Sequence, residues 1–375
     1  MKEKMDMQPT YYIGIMSGTS LDGIDIALVD IKKHSIKLIA SDIYIIPESL
    51  RQNLLMICQQ KQVTLQQLGE VDHQLGLVYA ETVNKFINKY QIDKNKICAI
   101  GCHGQTIYHS PVGQFPFTMQ IGDANIIAAK TAITTIADFR RKDMAFGGQG
   151  APLVPAFHQA LFADSNKNRV IVNIGGISNI SVLAPDQPVI GFDTGPGNVL
   201  LDSWIQYHLN QPYDRNGDWA KSGQIHSVLL SRLLDESYFD LPYPKSTGRE
   251  LFNLAWLQNK LVGLTINPQD VQATLAEFTA QTIANEVNKL KLNQLDNQLL
   301  LCGGRSKNLF INQILTKHLP KWIISTTDEY GISSDYMEAM AFAWLAYCCI
   351  NHIPSNMPSV TGAEKAVSLG VIYPK

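Results

Sequence analysis

The chain opens with short apolar runs separated by small polar turns, a pattern typical of β-strands. Residues 12–16 are mostly apolar, residues 17–23 form a cluster of small and hydroxyl side chains, and residues 24–29 alternate apolar with polar or small positions. The alternation resumes at residues 36–46 after a polar turn at 32–35. We therefore predict three consecutive antiparallel strands, joined as a meander.

Helical periodicity begins after this meander. Between residues 48 and 92, apolar side chains recur at spacings of three and four, which predicts helices. Further helices are predicted at residues 124–130, 199–208, 271–292, 308–319 and 333–346, with Ser333 or Ser334 as the cap of the last one. Buried strands are predicted at residues 96–101, 133–137 and 298–302. This alternation of strands and helices indicates an α/β protein.

A unit of strand, glycine turn and strand occurs twice. Residues 169–183 repeat the arrangement of residues 12–29, and Gly175 and Gly176 fall where the first unit has its small-residue turn. Such a repeat predicts two related α/β domains that face each other. Backbone N–H groups of both turns would then hold the phosphates of a nucleotide in one cleft. The alternative is that the first unit is an ordinary hairpin with a polar tip.

Asp193 is the strongest candidate for a catalytic group. The short strand at residues 189–192 delivers it to a Thr-Gly-Pro-Gly turn, and Asn198 then reads as the N-cap of a helix. A carboxylate beside a helix N-terminus suits a base that removes a proton while a phosphoryl group is transferred. The alternative is an Asx turn, in which Asp193 caps its own loop.

Other polar positions leave two interpretations open. The turn at residues 147–150 is an anion-binding turn or a surface loop. Gly303 and Gly304 at the end of a strand accommodate a nucleoside or form a close helix–strand turn. Lys245 and Arg249 contact a phosphate or are solvated charges. The acid in the apolar helix, Glu338, either has a buried partner or faces solvent.

Composition narrows the class of protein. The 375 residues suit two domains, and 45% hydrophobic with 17% charged residues is typical of a soluble globular protein. A net charge of −2 argues against nucleic acid or an anionic membrane as a partner. The apolar runs are too short and too interrupted for a membrane span, and the N-terminus has no apolar stretch of signal-peptide length. The six cysteines form no CxxC pair, so we expect reduced thiols in the cytoplasm. The histidines form no HExxH motif and no Cys/His cluster, so we predict no structural zinc site.

Eight motifs together resemble one family. They are MSGTSLDGID at 16–25, GQT at 104–106, ADFR at 137–140, GGQGAPL at 147–153, NIGGISN at 173–179, FDTGPGN at 192–198, KSTGRE at 245–250 and CGGR at 302–305. In this order they closely resemble the anhydro-N-acetylmuramic acid kinases of bacterial cell-wall recycling. Only residues 1–10 fall outside the resemblance, and no motif position departs from it.

The resemblance implies an actin-like ATPase fold, with two ribonuclease-H-like domains that flank a nucleotide cleft. We expect the N-terminal domain at residues 1–137 plus 360–375 and the C-terminal domain at 138–359. It also implies a reaction that uses ATP and water to open the 1,6-anhydro ring of 1,6-anhydro-N-acetylmuramic acid and to phosphorylate O6. The product would be N-acetylmuramic acid 6-phosphate. Family members act as homodimers and depend on magnesium.

The resemblance also assigns residues. The catalytic base falls on Asp193, which would deprotonate the attacking water. The nucleotide would be bound by Gly18, Thr19, Ser20, Leu21, Asp22, Gly23, Ile24, Asp25, Gly175, Gly176, Thr194, Gly195, Gly303 and Gly304. Magnesium would bind through water to Asp22, or to Asp25, and either carboxylate could instead cap the turn.

Arg140 is our candidate for stabilising charge on the phosphoryl group or the ring oxygen, and a structural ion pair is its alternative. His103, Gln105, Gln120 and Glu338 are weaker candidates for sugar contacts. The residues by themselves do not distinguish a muramic acid derivative from another sugar. Two other functions therefore remain as hypotheses, an ordinary hexose kinase and a nucleotide-dependent, chaperone-like binding module.

Overall fold

The computed structural model describes residues 10–18, 21, 23–33, 35–59, 62–304 and 306–375. The chain divides into two compact units. Unit 1 contains the chain up to Phe157 together with Tyr336–Lys375, and unit 2 contains His158–Asp335. The sequence-based boundaries, at 137/138 and 359/360, differ from both of these. The second boundary differs because a helix near the C-terminus packs on the sheet of unit 1.

The strands are, in chain order, β1 Tyr11–Met16, β2 Ile24–Lys32, β3 Ser35–Tyr44, β4 Ile97–Cys102, β5 Gln105–Ser110, β6 Phe117–Ile121, β7 Thr135–Ala137, β8 Lys167–Ile174, β9 Ile177–Leu183, β10 Ile190–Pro196, β11 Asp296–Cys302, β12 Ile323–Thr326 and β13 Val371–Tyr373. The helices are α1 Glu48–Gln59, α2 Leu65–Lys89, α3 Ala124–Thr131, α4 Arg141–Ala145, α5 Val154–Phe162, α6 Val199–Leu209, α7 Asp218–Lys221, α8 Ser227–Leu234, α9 Leu254–Leu261, α10 Pro268–Asn288, α11 Leu309–His318, α12 Met337–Ile350 and α13 Pro358–Thr361.

In unit 1, the described strands form a sheet in the order β13-β7-β4-β1-β2-β3. β1, β2 and β3 are antiparallel neighbours, which confirms the predicted meander, and β4 lies parallel to β1 on the other side. β5 and β6 form a separate antiparallel hairpin that follows the end of β4.

Unit 2 has the same arrangement. Its sheet has the order β10-β9-β8-β11-β12, in which β8, β9 and β10 are antiparallel and β11 runs parallel to β8. When only the strands of the main sheet are numbered, both units contain the order 3-2-1-4-5, the topology of ribonuclease-H-like domains, and unit 1 adds β13 beside β7. The repeated strand-turn-strand unit therefore supplies the first two strands of each sheet, and the predicted α/β fold of two related domains is confirmed.

The helices that cover the unit 1 sheet follow from local sequence. α2 begins with a capping box, because the N–H of Gln67 donates to the Thr64 hydroxyl and the N–H of Thr64 donates to Gln67 Oε1, both within 3.1 Å. α12 is rich in alanine and lies directly on the sheet. A Cβ on Gly14 of β1 would come within 1.7 Å of the Ala339 carbonyl oxygen, so this contact requires glycine.

Asn198 lies at the N-cap position of α6 as predicted, but its side chain donates to the Gly175 carbonyl, 3.3 Å away, and makes no capping hydrogen bond. The predicted cap of α12 is wrong. α12 begins at Met337, and Tyr336 is its N-cap. A cap at Ser334 would start the helix two residues earlier, at residue 335. Among the described residues, no helix is long and apolar enough to cross a membrane.

Candidate active site

Asp193 lies in β10, where the pairing with β9 is irregular between Asp193 and Gly195. Three hydrogen bonds hold the residue. Its carboxylate Oδ2 accepts from the N–H of Thr247 at 3.0 Å, its own N–H donates to the Lys245 carbonyl at 3.1 Å, and its carbonyl accepts from the Tyr238 hydroxyl at 2.6 Å. The carboxylate thus binds a distant segment, and the Asx-turn interpretation is not what the structure shows.

The environment of Asp193 raises its pKa to about 7. Burial is the main cause and the charge of Glu250 adds to it, whereas the hydrogen bond from the Thr247 N–H favours the ionised form and opposes the shift. A carboxyl group that titrates near neutrality can accept a proton during a reaction and release it afterwards. Asp193 therefore has the properties of a general base.

The glycine turn between β8 and β9 binds the start of α6. The Gly175 carbonyl accepts from the N–H of Asn198 at 2.9 Å, and the Gly176 carbonyl accepts from the N–H groups of Gly197 and Val199 at 2.9 and 3.1 Å. These donors at the helix N-terminus are therefore engaged by the turn. The exposed Arg249 lies beside the turn, because its Nη2 is 4.0 Å from the position that a Cβ on Gly176 would take.

The remaining glycine positions of unit 2 differ in the space around them. A Cβ on Gly303 would lie 2.3 Å from Asn173 Oδ1, whereas a Cβ on the exposed Gly304 would meet nothing within 4 Å. Gly303 makes the close turn and Gly304 leaves an open backbone surface. The Thr194 hydroxyl is fully buried and donates to the Ser178 carbonyl at 3.2 Å, and Gly195 has φ +138°.

The first glycine turn belongs to unit 1 and is only partly described. Thr19, Ser20 and Asp22 lie outside the described residues. Within the described part, the N–H of Leu21 donates to the Gly18 carbonyl at 3.2 Å, and Leu21, Gly23 and Ile24 are buried.

Asp25 is the described carboxylate closest in sequence to this turn. It is half-buried in β2, opposite Met16 of β1 and Ile43 of β3. In the described part of the chain, no group of three or more His, Cys, Asp or Glu could hold a metal ion. Kinases bind magnesium mainly through substrate phosphates and water, with one or two carboxylates, so a single carboxylate at this position fits.

Gln105 lies in a buried polar network. Ser17 donates to Gln105 Oε1 at 2.9 Å and shares a hydrogen bond of 2.5 Å with the Tyr79 hydroxyl. The Gln105 amide nitrogen donates to the Thr106 carbonyl at 3.3 Å. This side chain, predicted as a sugar contact, connects the β5–β6 hairpin to Ser17, the first residue of the turn between β1 and β2.

Arg140 and His103 form the second buried cluster of unit 1. Nε and Nη2 of Arg140 donate to Nε2 of His103 at 3.0 and 2.9 Å, and Nη1 donates to the Gly150 carbonyl at 2.8 Å. Burial lowers the pKa of Arg140 to about 10, and the charges of Glu338 and Asp143 oppose this shift. Burial, followed by the charge of Arg140, lowers the pKa of His103 well below its usual range, so the imidazole is neutral.

A cavity of about 260 Å³ opens beside this cluster. Its lining includes the residues His103, Thr118, Gln120, Asp138, Arg141 and Tyr373. Gln120 is half-buried and donates to the hydroxyls of Thr106 and Thr118 at 3.1 and 2.8 Å. Two of the four predicted sugar contacts thus line one polar cavity. Glu338 is half-buried in the first turn of α12 and acts electrostatically on Arg140.

Lys245 differs from both sequence-based interpretations. Its side chain is 2% exposed, and Nζ donates to Glu286 Oε1 of α10 at 3.1 Å. It is therefore neither a solvated charge nor a group directed at a phosphate. The sequence contains one signal for this pair. Glu286 lies among the apolar positions of α10, and a carboxylate at a core position needs a partner.

The family model and the curated relatives agree on one family. The model of the anhydro-N-acetylmuramic acid kinase family matches residues 10–375. The anhydro-N-acetylmuramic acid kinase of Pasteurella multocida is 59% identical over 366 residues, which cover 97% of each chain. That of Haemophilus influenzae is 56% identical and covers 99% of this chain and all of its own. Among solved structures, an activator of 2-hydroxyisocaproyl-CoA dehydratase from Clostridium difficile aligns with 90% of this chain and 94% of its own at 11% identity, with a TM-score of 0.46.

Proposed function

The chain belongs to the anhydro-N-acetylmuramic acid kinase family, and from that premise we propose how its residues carry out the reaction. The enzyme uses ATP to phosphorylate 1,6-anhydro-N-acetylmuramic acid in cell-wall recycling. Water attacks C1 of the sugar, the bond between C1 and the bridging O6 breaks, and O6 takes the γ-phosphoryl group of ATP. The products are N-acetylmuramic acid 6-phosphate and ADP.

Asp193 is the general base that removes the proton from the attacking water. Its raised pKa, close to 7, is the observation that supports this role most directly. A base with this pKa is largely ionised just above neutral pH and still binds the transferred proton strongly enough to assist the attack. The hydrogen bond from the Thr247 N–H leaves one carboxylate oxygen, Oδ1, for the water.

Arg140 supplies positive charge in the transition state, and the neutral partners that hold it support this role. His103 and the Gly150 carbonyl orient the guanidinium without neutralising it. A fixed, desolvated cation stabilises developing negative charge more than a solvated one does. The cavity lined by His103 and Gln120 is our candidate for the sugar site, and its volume, about 260 Å³, suits a ligand of the size of one sugar unit.

The nucleotide binds at the glycine turns that contain Gly18, Gly175 and Gly176, and its adenosine at Gly303 and Gly304. Arg249 is a further candidate for a phosphate contact because it lies beside Gly176. Asp25, together with Asp22 outside the described residues, would hold magnesium through water, and the metal would neutralise charge on the phosphates.

The decisive experiment determines which product receives the oxygen atom of water. The purified enzyme is incubated with ATP, magnesium and 1,6-anhydro-N-acetylmuramic acid in H₂¹⁸O, and the products are analysed by mass spectrometry and ³¹P NMR. The label is expected at C1 of the sugar product and absent from its phosphate. Label in inorganic phosphate would indicate plain ATP hydrolysis. A phosphorylated sugar that retains its anhydro ring and contains no label would contradict the coupled reaction.

The family also suggests a homodimer in the cytoplasm. Light scattering after size-exclusion chromatography is expected to give twice the chain mass of 41.7 kDa, and a mass equal to one chain would contradict this assembly.

A further inference from the structure

We infer that Lys245, paired with Glu286, is a positioning residue for Asp193. The pair anchors the segment from Lys245 to Thr247, and the backbone of that segment holds the Asp193 carboxylate. The kinetic consequence of this inference rests on the proposed role of Asp193 as the base, whereas its structural consequence does not.

The first step of the argument is the geometry of the segment. The Lys245 carbonyl accepts from the N–H of Asp193 at 3.1 Å, and the N–H of Thr247 donates to Asp193 Oδ2 at 3.0 Å. The same short stretch therefore binds the main chain and the side chain of Asp193. Any displacement of its backbone changes the position of the carboxylate and the strength of the bond to Oδ2.

The second step is what fixes this segment. Nζ of Lys245 donates to Glu286 Oε1 at 3.1 Å, contacts the Tyr238 carbonyl at 3.5 Å and lies 5.0 Å above the Tyr238 ring. Tyr238 itself donates from its hydroxyl to the Asp193 carbonyl. The Lys245 amino group thus joins Glu286 of α10 to both segments that hold Asp193.

The third step is burial. The side chains of Lys245 and Glu286 are 2% and 8% exposed, so each charge depends on the other for stabilisation. Lys289 also binds Glu286 Oε1, at 2.9 Å, but its side chain is 60% exposed. Two lysines therefore share one carboxylate, and only Lys245 also contacts Asp193 through its backbone. This contrast provides a matched control.

The charged and titratable groups around Asp193 determine the expected direction of the effect. After burial, the charge of Glu250 raises the pKa of Asp193, whereas Tyr238 is a neutral phenol whose own pKa is raised by burial and then by the charges of Asp193 and Glu286. Lys245 is paired with Glu286. The Thr247 N–H is the group that favours the ionised carboxylate. If the segment moves, this bond weakens, and Asp193 must become harder to ionise.

The experiment measures the ionisation of Asp193 directly. Protein labelled with ¹³C at the Asp carboxyl groups is titrated by NMR, and the resonance that is missing from Asp193→Asn identifies Asp193. In Lys245→Met the midpoint is expected to rise by about 0.5–1 pH unit above the wild-type value. Lys289→Met removes a cation from the same carboxylate and is expected to leave the midpoint unchanged. A wild-type midpoint in Lys245→Met would overturn the inference.

A second variant covers the case in which Lys245→Met does not fold. Lys245→Met/Glu286→Leu replaces the buried pair with apolar side chains, which often preserves stability. It lacks the anchoring amino group, so its midpoint must rise as well, and a folded double variant with the wild-type midpoint would contradict the inference.

Turnover measured across the same pH range separates the inference from the proposed function. The acidic limb of kcat is expected to move with the NMR midpoint, whereas KM for ATP changes less than twofold. If the midpoint moves and the kcat limb does not, Lys245 positions Asp193 but Asp193 is not the base. If both stay at the wild-type pH, the positioning role fails and the base assignment is unaffected.

Discussion

Asp193 in unit 2 and Arg140 in unit 1 are both ionisable groups shifted by burial, yet the shift has opposite consequences for them. Burial raises the pKa of Asp193 to about 7, which is near the pH at which an enzyme works. Burial lowers the pKa of Arg140 to about 10, which leaves the guanidinium charged at neutral pH. Desolvation therefore turns the carboxylate into a group that can accept a proton near neutral pH. The arginine stays charged and only becomes a stronger electrostatic group, because the ordinary pKa values of the two groups differ so widely.

The two regions are similar in how the functional group is held. Asp193 is held by the segment that Lys245 and Glu286 anchor. Arg140 donates to the Gly150 carbonyl, and the N–H of Gly150 donates in turn to the buried Asp143 carboxylate at 2.8 Å. In each region, a charged side chain without direct access to solvent fixes a stretch of backbone, and that backbone positions the group. The following predictions test this parallel.

The largest effect is expected at Asp193 itself. Asp193→Asn cannot accept a proton, so kcat is expected to fall by about 10²- to 10⁴-fold, the usual contribution of a general base. Binding of ATP, measured by calorimetry, should stay within about twofold of wild type. Glu250→Gln is the control, because it removes only the neighbouring charge and is expected to move the acidic limb of kcat to lower pH. An Asp193→Asn enzyme with more than a tenth of wild-type turnover would remove Asp193 from the base role.

The next effect concerns the anchor of the Arg140 region. Asp143 Oδ1 accepts from Asn356 and from the Thr361 hydroxyl, both at 2.8 Å, and Oδ2 accepts from Gly150. In Asp143→Asn, an amide nitrogen must face one of these donors, so the free energy of unfolding should fall by about 2–4 kcal/mol.

Asp138→Asn is the control for Asp143→Asn. Asp138 binds the largely exposed Arg141, and loss of such a pair is expected to change the free energy of unfolding by less than about 1 kcal/mol in urea unfolding. Equal effects of the two substitutions would show that Asp143 does not anchor the region.

Sequence patterns predicted the parts of these regions that depend on neighbouring residues. The alternation in residues 24–29 predicted β2 because that signal is local, whereas the strand that contains Asp193 continues to Pro196, beyond its predicted end at residue 192. The burial of Lys245 was not predicted, since its partner Glu286 lies 41 positions away on another element. The hydrogen bond from Ser17 to Gln105 was not predicted for the same reason. Sequence shows which polar residues need partners, but only the fold determines which partners they find.

A smaller effect is the cost of Asp193 to stability. Its pKa in the folded state, about 7, lies above the ordinary value of 3.8, so the folded protein keeps a proton that the unfolded chain has released. The contribution of Asp193 to stability therefore falls as the pH rises from about 4 to about 7. Asp193→Asn removes this cost and should be more stable than wild type by about 1–3 kcal/mol at pH 8, with little difference at pH 4. A difference that does not depend on pH would contradict the raised pKa.

The smallest effect is expected at His103, where stability is lost as the pH falls and not as it rises. Because the pKa of folded His103 lies well below 6.5, the unfolded chain takes up a proton below pH 6.5 that the folded protein refuses, and stability is lost as the pH falls. Gln offers Arg140 an acceptor oxygen but does not titrate. His103→Gln is therefore expected to lose about 1 kcal/mol less than wild type between pH 7 and pH 5.5, as measured by urea unfolding. Replacement of the exposed His73 by Gln is the matched control, because it removes a histidine that is not buried. If His103→Gln follows the wild-type curve, His103 is not held neutral in the folded protein. The electrostatic contrast between the Arg140 cluster and Asp193 would then fail.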